Sequence, residues 1–281
     1  MGIADYTREK TMPTFTINGH NLYYETQGDP ANPPLVLLQQ GLGASMEWAS
    51  QMATFSDDYH VIVYDRWGYG RSDPRPHFDY GYLLPDTDEA IALLDSLDVK
   101  EAFLLGHSDG GTLALLLAAR RPDLVRAMAI EAAHIYYEPK IQAGIQAMLE
   151  KVRSSRRIQS VLKMLHGEKG QDLAEAWLTH WLDPGNVPAD LVAEGALVQV
   201  QCPVLVIQGE EDEYATPKHA EDIHAHLPNS ELWLIPGCGH MPHVTLGEEF
   251  SARVAVFFRE VMEAEEEEKT ASNGMEEGDD A

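Results

Sequence analysis

The sequence predicts an α/β fold: a mostly parallel sheet with helices on both faces and a helical insertion lying over it. Short apolar runs alternate along the chain with longer stretches of helical period, as they do where strands are buried on both faces. That rhythm breaks once, between about residues 136 and 197, where helical periodicity continues with no β-rich run. Size agrees, because 281 residues at 44% hydrophobic suit one large domain with an inserted subdomain.

Thr14–Ile17 and Leu22–Thr26 read as two strands joined at Asn18-Gly19, a strong hairpin signal. Leu35–Gln39 and Val61–Asp65 are continuous apolar strands, with a helix between them from Met46 to Phe55. Leu83 to Leu97 places Ile91, Leu93, Leu94 and Leu97 at the spacing of an amphipathic helix. The strand Ala102–Leu105 precedes Thr112 to Arg120, a strong helix former with no internal Gly or Pro. The next strand is Ala127–Ile130. Ile141 to Val152, Ile158 to Leu165 and Leu173 to Leu182 are the helices of the insertion. Strand Val204–Ile207, helix Pro217–Leu227, strand Leu232–Ile235 and helix Glu248–Met262 complete the series. The expected organisation is a core of residues 1–135 and 198–263, a helical cap of 136–197 and an acidic tail of 264–281. The tail carries Glu265 to Glu268, Glu276, Glu277, Asp279 and Asp280; such a like-charge block buries no surface and is expected to be disordered.

A net charge of −26 argues against nucleic-acid partners and anionic membranes, since both would repel the chain. The polar N-terminus lacks the apolar core of a signal peptide, and Tyr6 occupies the place a myristoylation signal needs for Ser or Thr. With no run long enough to span a bilayer, the expectation is a soluble, cytoplasmic protein. Cys202 and Cys238 adjoin predicted strands and read as buried small hydrophobes, with neither a disulfide framework nor zinc spacing around them.

Gly106-His107-Ser108-Asp109-Gly110 matches G-x-S-x-G between a predicted strand and a predicted helix, the context of a nucleophile elbow. Acyl transfer also needs a base, an acid that orients it, and donors for the developing oxyanion. Asp212, on the loop after strand Val204–Ile207, is the expected acid, with Glu131 its rival. His240, in the Gly-rich loop after the last strand, is the expected base, with His243 as fallback. The oxyanion donors are the backbone N–H groups of Asp109 and Leu42, the latter from Gln40-Gly41-Leu42-Gly43. Gly41-x-Gly43 with Asp65 further on begins like a dinucleotide site but has Met46 at the third glycine position. No P-loop follows, and His219, His224 and His226 share a helix without H-E-x-x-H, so neither cofactor nor metal is expected. The Asp109 carboxylate beside a developing negative charge requires compensation. Either a hydrogen bond to neighbouring backbone or a cap arginine (such as Arg153, Arg156 or Arg157) supplies it, or the carboxylate binds a cationic group of the substrate.

These residues resemble the α/β-hydrolase superfamily over essentially the whole chain except the tail. Tyr64 to Asp73 is similar to the D-x-x-G-x-G-x-S segment after the fourth strand of those enzymes, and the Gly209–Asp212 and Gly239-His240 loops resemble their acid and histidine loops. Gly106 to Gly111 and Gln201-Cys202-Pro203 resemble the branch of valacyclovir hydrolase and related small carboxylesterases, with Gln40-Gly41 standing where many relatives have His-Gly. The resemblance implies an eight-stranded sheet, a helical cap and a Ser108–Asp212–His240 triad. It implies a cofactor-free serine hydrolase, most simply a carboxylesterase of small-molecule esters. A C–C bond hydrolase of ring-cleavage dienoates and a non-catalytic binding protein on the same fold are the alternatives. Substrate identity and oligomeric state stay open.

Overall fold

The computed structural model describes residues 13–276, except 184, 187–190 and 192–194. Eight strands form one sheet: β1 (Thr14–Ile17), β2 (His20–Gln27), β3 (Pro34–Leu38), β4 (His60–Tyr64), β5 (Ala102–His107), β6 (Val125–Glu131), β7 (Val204–Gly209) and β8 (Ser230–Ile235). Their order is β1-β2-β4-β3-β5-β6-β7-β8. The β1–β2 and β2–β4 pairs are antiparallel and every pair from β4 onward is parallel. The first hairpin turns at Asn18 (φ 51°) and Gly19 (φ 85°), the pair of left-handed residues that a two-residue turn of matching twist demands.

Alternate strand residues feed two cores. Leu35, Leu37, Val61, Val63, Phe103 and Leu105 face α1 (Ala49–Phe55) and α9 (Glu248–Glu276). Val36, Leu38, Ile62 and Leu104 face α2 (Leu83–Ser96) and α3 (Asp109–Arg120), in the core that α7 (Lys218–His226) also joins. Between β6 and β7 the chain forms α4 (Pro139–Ser154), α5 (Arg156–His166) and α6 (Gly170–Leu182), whose apolar faces extend this second core. A four-residue helix, α8 (Pro242–Thr245), follows the last strand.

Two segments differ from expectation. The helix expected from Met46 opens instead as a 3-10 turn, Ser45–Trp48, before passing into α1. The segment from residue 264 to 276, expected to be disordered, continues α9. Ala, Glu and Lys are strong helix formers, and this extension needs no burial to continue a helix already docked on the sheet. Glu265 is also anchored, accepting from Arg126 Nε at 2.9 Å. Residues 277–281 of the expected tail lie outside the described residues.

The helix is held by its apolar face rather than by this half-exposed ion pair. Truncation after Ala264 is therefore expected to lower stability by less than about 1 kcal/mol, as for surface pairs generally. Phe258→Ala, at a fully buried position, should cost about 3–5 kcal/mol. Urea denaturation checks both values, and a reversed order would show that the acidic extension carries the docking.

Candidate active site

The carboxyl ends of β3, β5, β7 and β8 bring their loops to one rim of the sheet, where ligands bind in open α/β sheets. Ser108 stands between β5 and α3 with φ 54° and ψ −117°, a strained conformation for a residue with a side chain. Glycine is required on both sides of it. A Cβ on Gly106 would lie 2.4 Å from Gly110 O, and one on Gly110 would lie 2.0 Å from Leu38 O. The Ser108 N–H is held by Glu131 O at 2.9 Å.

His240 Nδ1 lies 2.8 Å from Asp212 Oδ2. A buried carboxylate accepts, so Nδ1–H donates to it. Asp212 is fully buried and also accepts from Gln208 Nε2 (2.8 Å), Tyr214 N (2.7 Å) and Ala215 N (3.1 Å). Burial alone would raise its pKa, but the His240 hydrogen bond and charge and these backbone donors outweigh it, and the carboxyl is held below its ordinary value. Glu213 fixes the other side of the loop, accepting from His240 N at 2.9 Å.

The rival pair, Glu131 and His243, bond to each other: Glu131 accepts from His243 Nδ1, and from His243 N at 3.1 Å. His107 joins them beneath the rim, its Nε2 2.9 Å from the His240 carbonyl. These three side chains hold ligating atoms within 4.8 Å of one another. Their contacts already engage most of those atoms, and none of the three lines the cavity described next. Burial lowers the His107 pKa far below its usual value, whereas the Glu131 carboxylate overcomes burial and raises that of His243.

Ser108, Asp109, Leu42, His134 and His240 line one cavity of about 520 Å³, roofed by Ile141, Ile145 and Met148 of α4, Ile158 and Leu162 of α5, and Trp177 and Trp181 of α6. That volume suits a small-molecule ligand. Among the described residues Ser108 Oγ has no hydrogen-bond partner; such bonds commonly tighten only when substrate is bound. The loop and turn hydrogen bonds of the described residues use neither the Leu42 N–H nor the Asp109 N–H. The Gln40–Ala44 loop is braced by Gln39 Nε2, which donates to Gly43 O at 3.0 Å. His166 of α5 accepts from Gly70 N at 2.8 Å on Nδ1, which leaves Nε2–H to donate to Leu42 O at 3.0 Å.

Asp109 is compensated from the core. Its Oδ2 accepts from Arg66 Nη2 (3.1 Å), Tyr82 OH (2.6 Å) and Trp177 Nε1 (3.3 Å). The expected cap arginines take no part: Arg153 pairs with Glu175, while Arg156 and Arg157 are exposed. Arg66 belongs to the Tyr64–Asp73 segment, where the glycines and serine carry the sequence signal and the arginine does not. Asp109 Oδ1 has no hydrogen-bond partner, and His134 Nε2, likewise unpartnered, stands 3.7 Å from it.

A parallel sheet of this order, carrying a serine on an elbow and an acid–histidine pair on later loops, defines a hydrolase of the α/β class. The chain belongs to the alpha/beta hydrolase fold family, whose model matches residues 33–160 and 149–245. It is 28% identical over 251 residues to serine hydrolase BPHL of Homo sapiens, covering 88% of this chain and 86% of that protein. It is 28% identical over 235 residues to a putative carbamate hydrolase, RutD, of Pseudomonas syringae, covering 76% of this chain and 90% of that one. The enol-lactonase of Burkholderia xenovorans superposes with a TM-score of 0.70 at 23% identity, covering 88% of this chain and all of that chain, a likeness of fold. No helix among the described residues is long and apolar enough to cross a membrane.

Burial pushes the His134 pKa down to about 4 from an ordinary 6.5. A histidine held neutral in the fold binds fewer protons than it does in the unfolded chain, so its contribution to stability falls as pH drops from 6.5 toward 4. The loss approaches about 3 kcal/mol. His134→Gln should make the fall in unfolding free energy over that window shallower by about one proton, measured by denaturation at stepped pH. An unchanged slope would contradict a neutral, buried His134.

Proposed function

We propose that this enzyme hydrolyses carboxylic esters of small molecules through an acyl-enzyme on Ser108. The observation that carries the reading is the 2.8 Å Asp212–His240 hydrogen bond, made on the wall of the cavity that Ser108 also lines. His240 Nε2 takes the Ser108 proton as Oγ bonds to the ester carbonyl carbon. The Leu42 and Asp109 N–H groups receive the resulting oxyanion. Collapse breaks the bond to the alkoxy group, which leaves with the proton from His240. Water then gives a proton to His240 and attacks the acyl carbon; the acyl–Oγ bond breaks as His240 returns the proton to Ser108 Oγ, and the acid leaves. Asp212 holds the imidazolium that forms twice in this cycle. The aliphatic and indole side chains of the cap form the apolar side of the substrate pocket and exclude water.

Asp109 lines the cavity, and its Oδ1, buried and without a hydrogen-bond partner, is the acceptor proposed for a donor group of the substrate. Arg66 and Arg75 balance Asp109 and Asp86 within the protein, so the acceptor does not by itself demand a cation. An amino-acid ester, whose ammonium would lie beside the reacting carbonyl, makes the strongest use of it.

Ser108→Ala should lower kcat on p-nitrophenyl esters on the order of 10⁶-fold while leaving the fold intact. Asp212→Asn should lose roughly 10⁴-fold, far more than Glu131→Gln. Ser108→Ala retaining more than a few per cent of activity, or the reverse order of the two acids, would refute the assignment. Asp109→Asn should weaken kcat/KM for amino-acid esters much more than for uncharged esters of the same size. Equal losses would leave Asp109 a structural residue. A parallel series of carbamates separates ester preference from the activity named for the Pseudomonas relative.

A further inference from the structure

The two N–H groups assigned to the oxyanion come from loops at the ends of different strands, β3 and β5, and must aim at one point. Positional tolerance in such a site is about 0.5 Å. One nitrogen touches both loops. Arg66 Nη2 donates to the carbonyl of Gln40 at 3.0 Å and to Asp109 Oδ2 at 3.1 Å. The Gln40 carbonyl also accepts from Gly43 N at 3.2 Å, so it closes the tight turn that carries Leu42. Asp109 carries the other N–H itself. The two hydrogens of a single guanidinium nitrogen can therefore serve one loop each.

Arg66 is itself held fast. Its Nη1 donates to Asp86 Oδ2 at 3.2 Å, its guanidinium carbon lies 4.5 Å from the centre of the Tyr69 ring, and the residue is 2% exposed. Asp86 is fixed in turn by Arg75 Nη1 at 2.8 Å. A buried guanidinium surrounded by carboxylates is permanently charged and planar, so it cannot yield by deprotonation or rotate freely about its fork. If neutralising the buried acids were its only task, contacts to Asp86 and Asp109 would suffice. The bond to the Gln40 carbonyl adds nothing to that task.

We propose that Arg66 is the positioning residue of the oxyanion hole, fixing the Leu42 turn against the nucleophile elbow. The inference rests on Leu42 and Asp109 being the oxyanion donors. Arg66 touches no reacting atom. Its effect is to keep two separately anchored N–H groups convergent when charge appears on the substrate oxygen.

The test is Arg66→Lys, which keeps the charge but is shorter and lacks the fork. Losing one oxyanion donor costs about 10²–10³ in kcat, and a misaimed pair should cost about 10². KM should stay within about threefold, because the ground-state carbonyl makes less use of these donors. Affinity for a trifluoromethyl ketone, which forms a tetrahedral oxyanion with the serine, should fall by a factor similar to the loss in kcat. Phe258→Ala, in the core on the other face of the sheet, serves as the control for lost stability. It should lose stability, with kcat and ketone affinity unchanged. Should Arg66→Lys not fold, the paired change Arg66→Gln with Asp86→Asn removes the cation and one of its acids together and reads the same ratios.

A folded Arg66 variant with kcat and ketone affinity within threefold of wild type would overturn the proposal, as would Phe258→Ala losing as much of both. Failure of the underlying reading would look different. In that case the wild-type enzyme itself would turn over no ester, or Ser108→Ala would match it.

Discussion

Backbone packs tightly against backbone where α3 crosses the ends of β3 and β5, and the rim of the sheet is organised by it. Side chains at Gly106 or Gly110 would collide with main-chain oxygen. Only a sharp turn fits between, and Ser108 accepts a positive φ to make it. Such strain costs about 1–3 kcal/mol. Burial of Leu113, Leu115 and Leu117 on the helix that follows contributes about 1.5–3 kcal/mol per side chain, so packing easily holds the strained residue in place. The strain thereby presents a hydroxyl to the cavity and leaves the first N–H of α3 without an intrahelical acceptor.

Charge is organised around the same point. Arg66, Arg75, Asp86 and Asp109 form a buried, balanced set, with Tyr82 OH bridging from Asp109 to the indole N–H groups of Trp177 and Trp181. Removing one member would strand a partner, at about 3–5 kcal/mol. The set therefore does more than solvate Asp109. Through the two tryptophans it fastens helix α6 to the residue beside Ser108, and through Arg66 it reaches the Gln40 turn. Helix α6, the Gln40 turn and the Ser108 elbow are thus parts of one hydrogen-bonded assembly.

Local chemistry made much of this readable in advance. Asn18-Gly19 announced its turn because few other pairs tolerate two positive φ values. The apolar runs announced strands because a parallel sheet covered on both faces leaves them no polar positions. Ser108, Asp212 and His240 stand out in the sequence because each sits at a strand end flanked by glycine or turn residues. Arg66 does not, since nothing in a basic residue six positions before Ser72 marks it as the counter-ion of a residue 43 positions further on. The same holds for Tyr82 and for His134, whose importance comes from tertiary neighbours alone. The acidic extension of α9 misled for another reason: a like-charge block argues against burial, yet a helix already nucleated needs only propensity to continue.

The central claim is that Ser108 is a nucleophile activated by the Asp212–His240 pair and open to the cavity. The most direct measurement is the rate and site of labelling by a fluorophosphonate, mapped by peptide mass spectrometry on the wild-type enzyme and on His240→Ala. The account predicts one phosphonate adduct, on the peptide containing Ser108, formed far more slowly in the variant. Labelling at another residue, or an equal rate without His240, would contradict it.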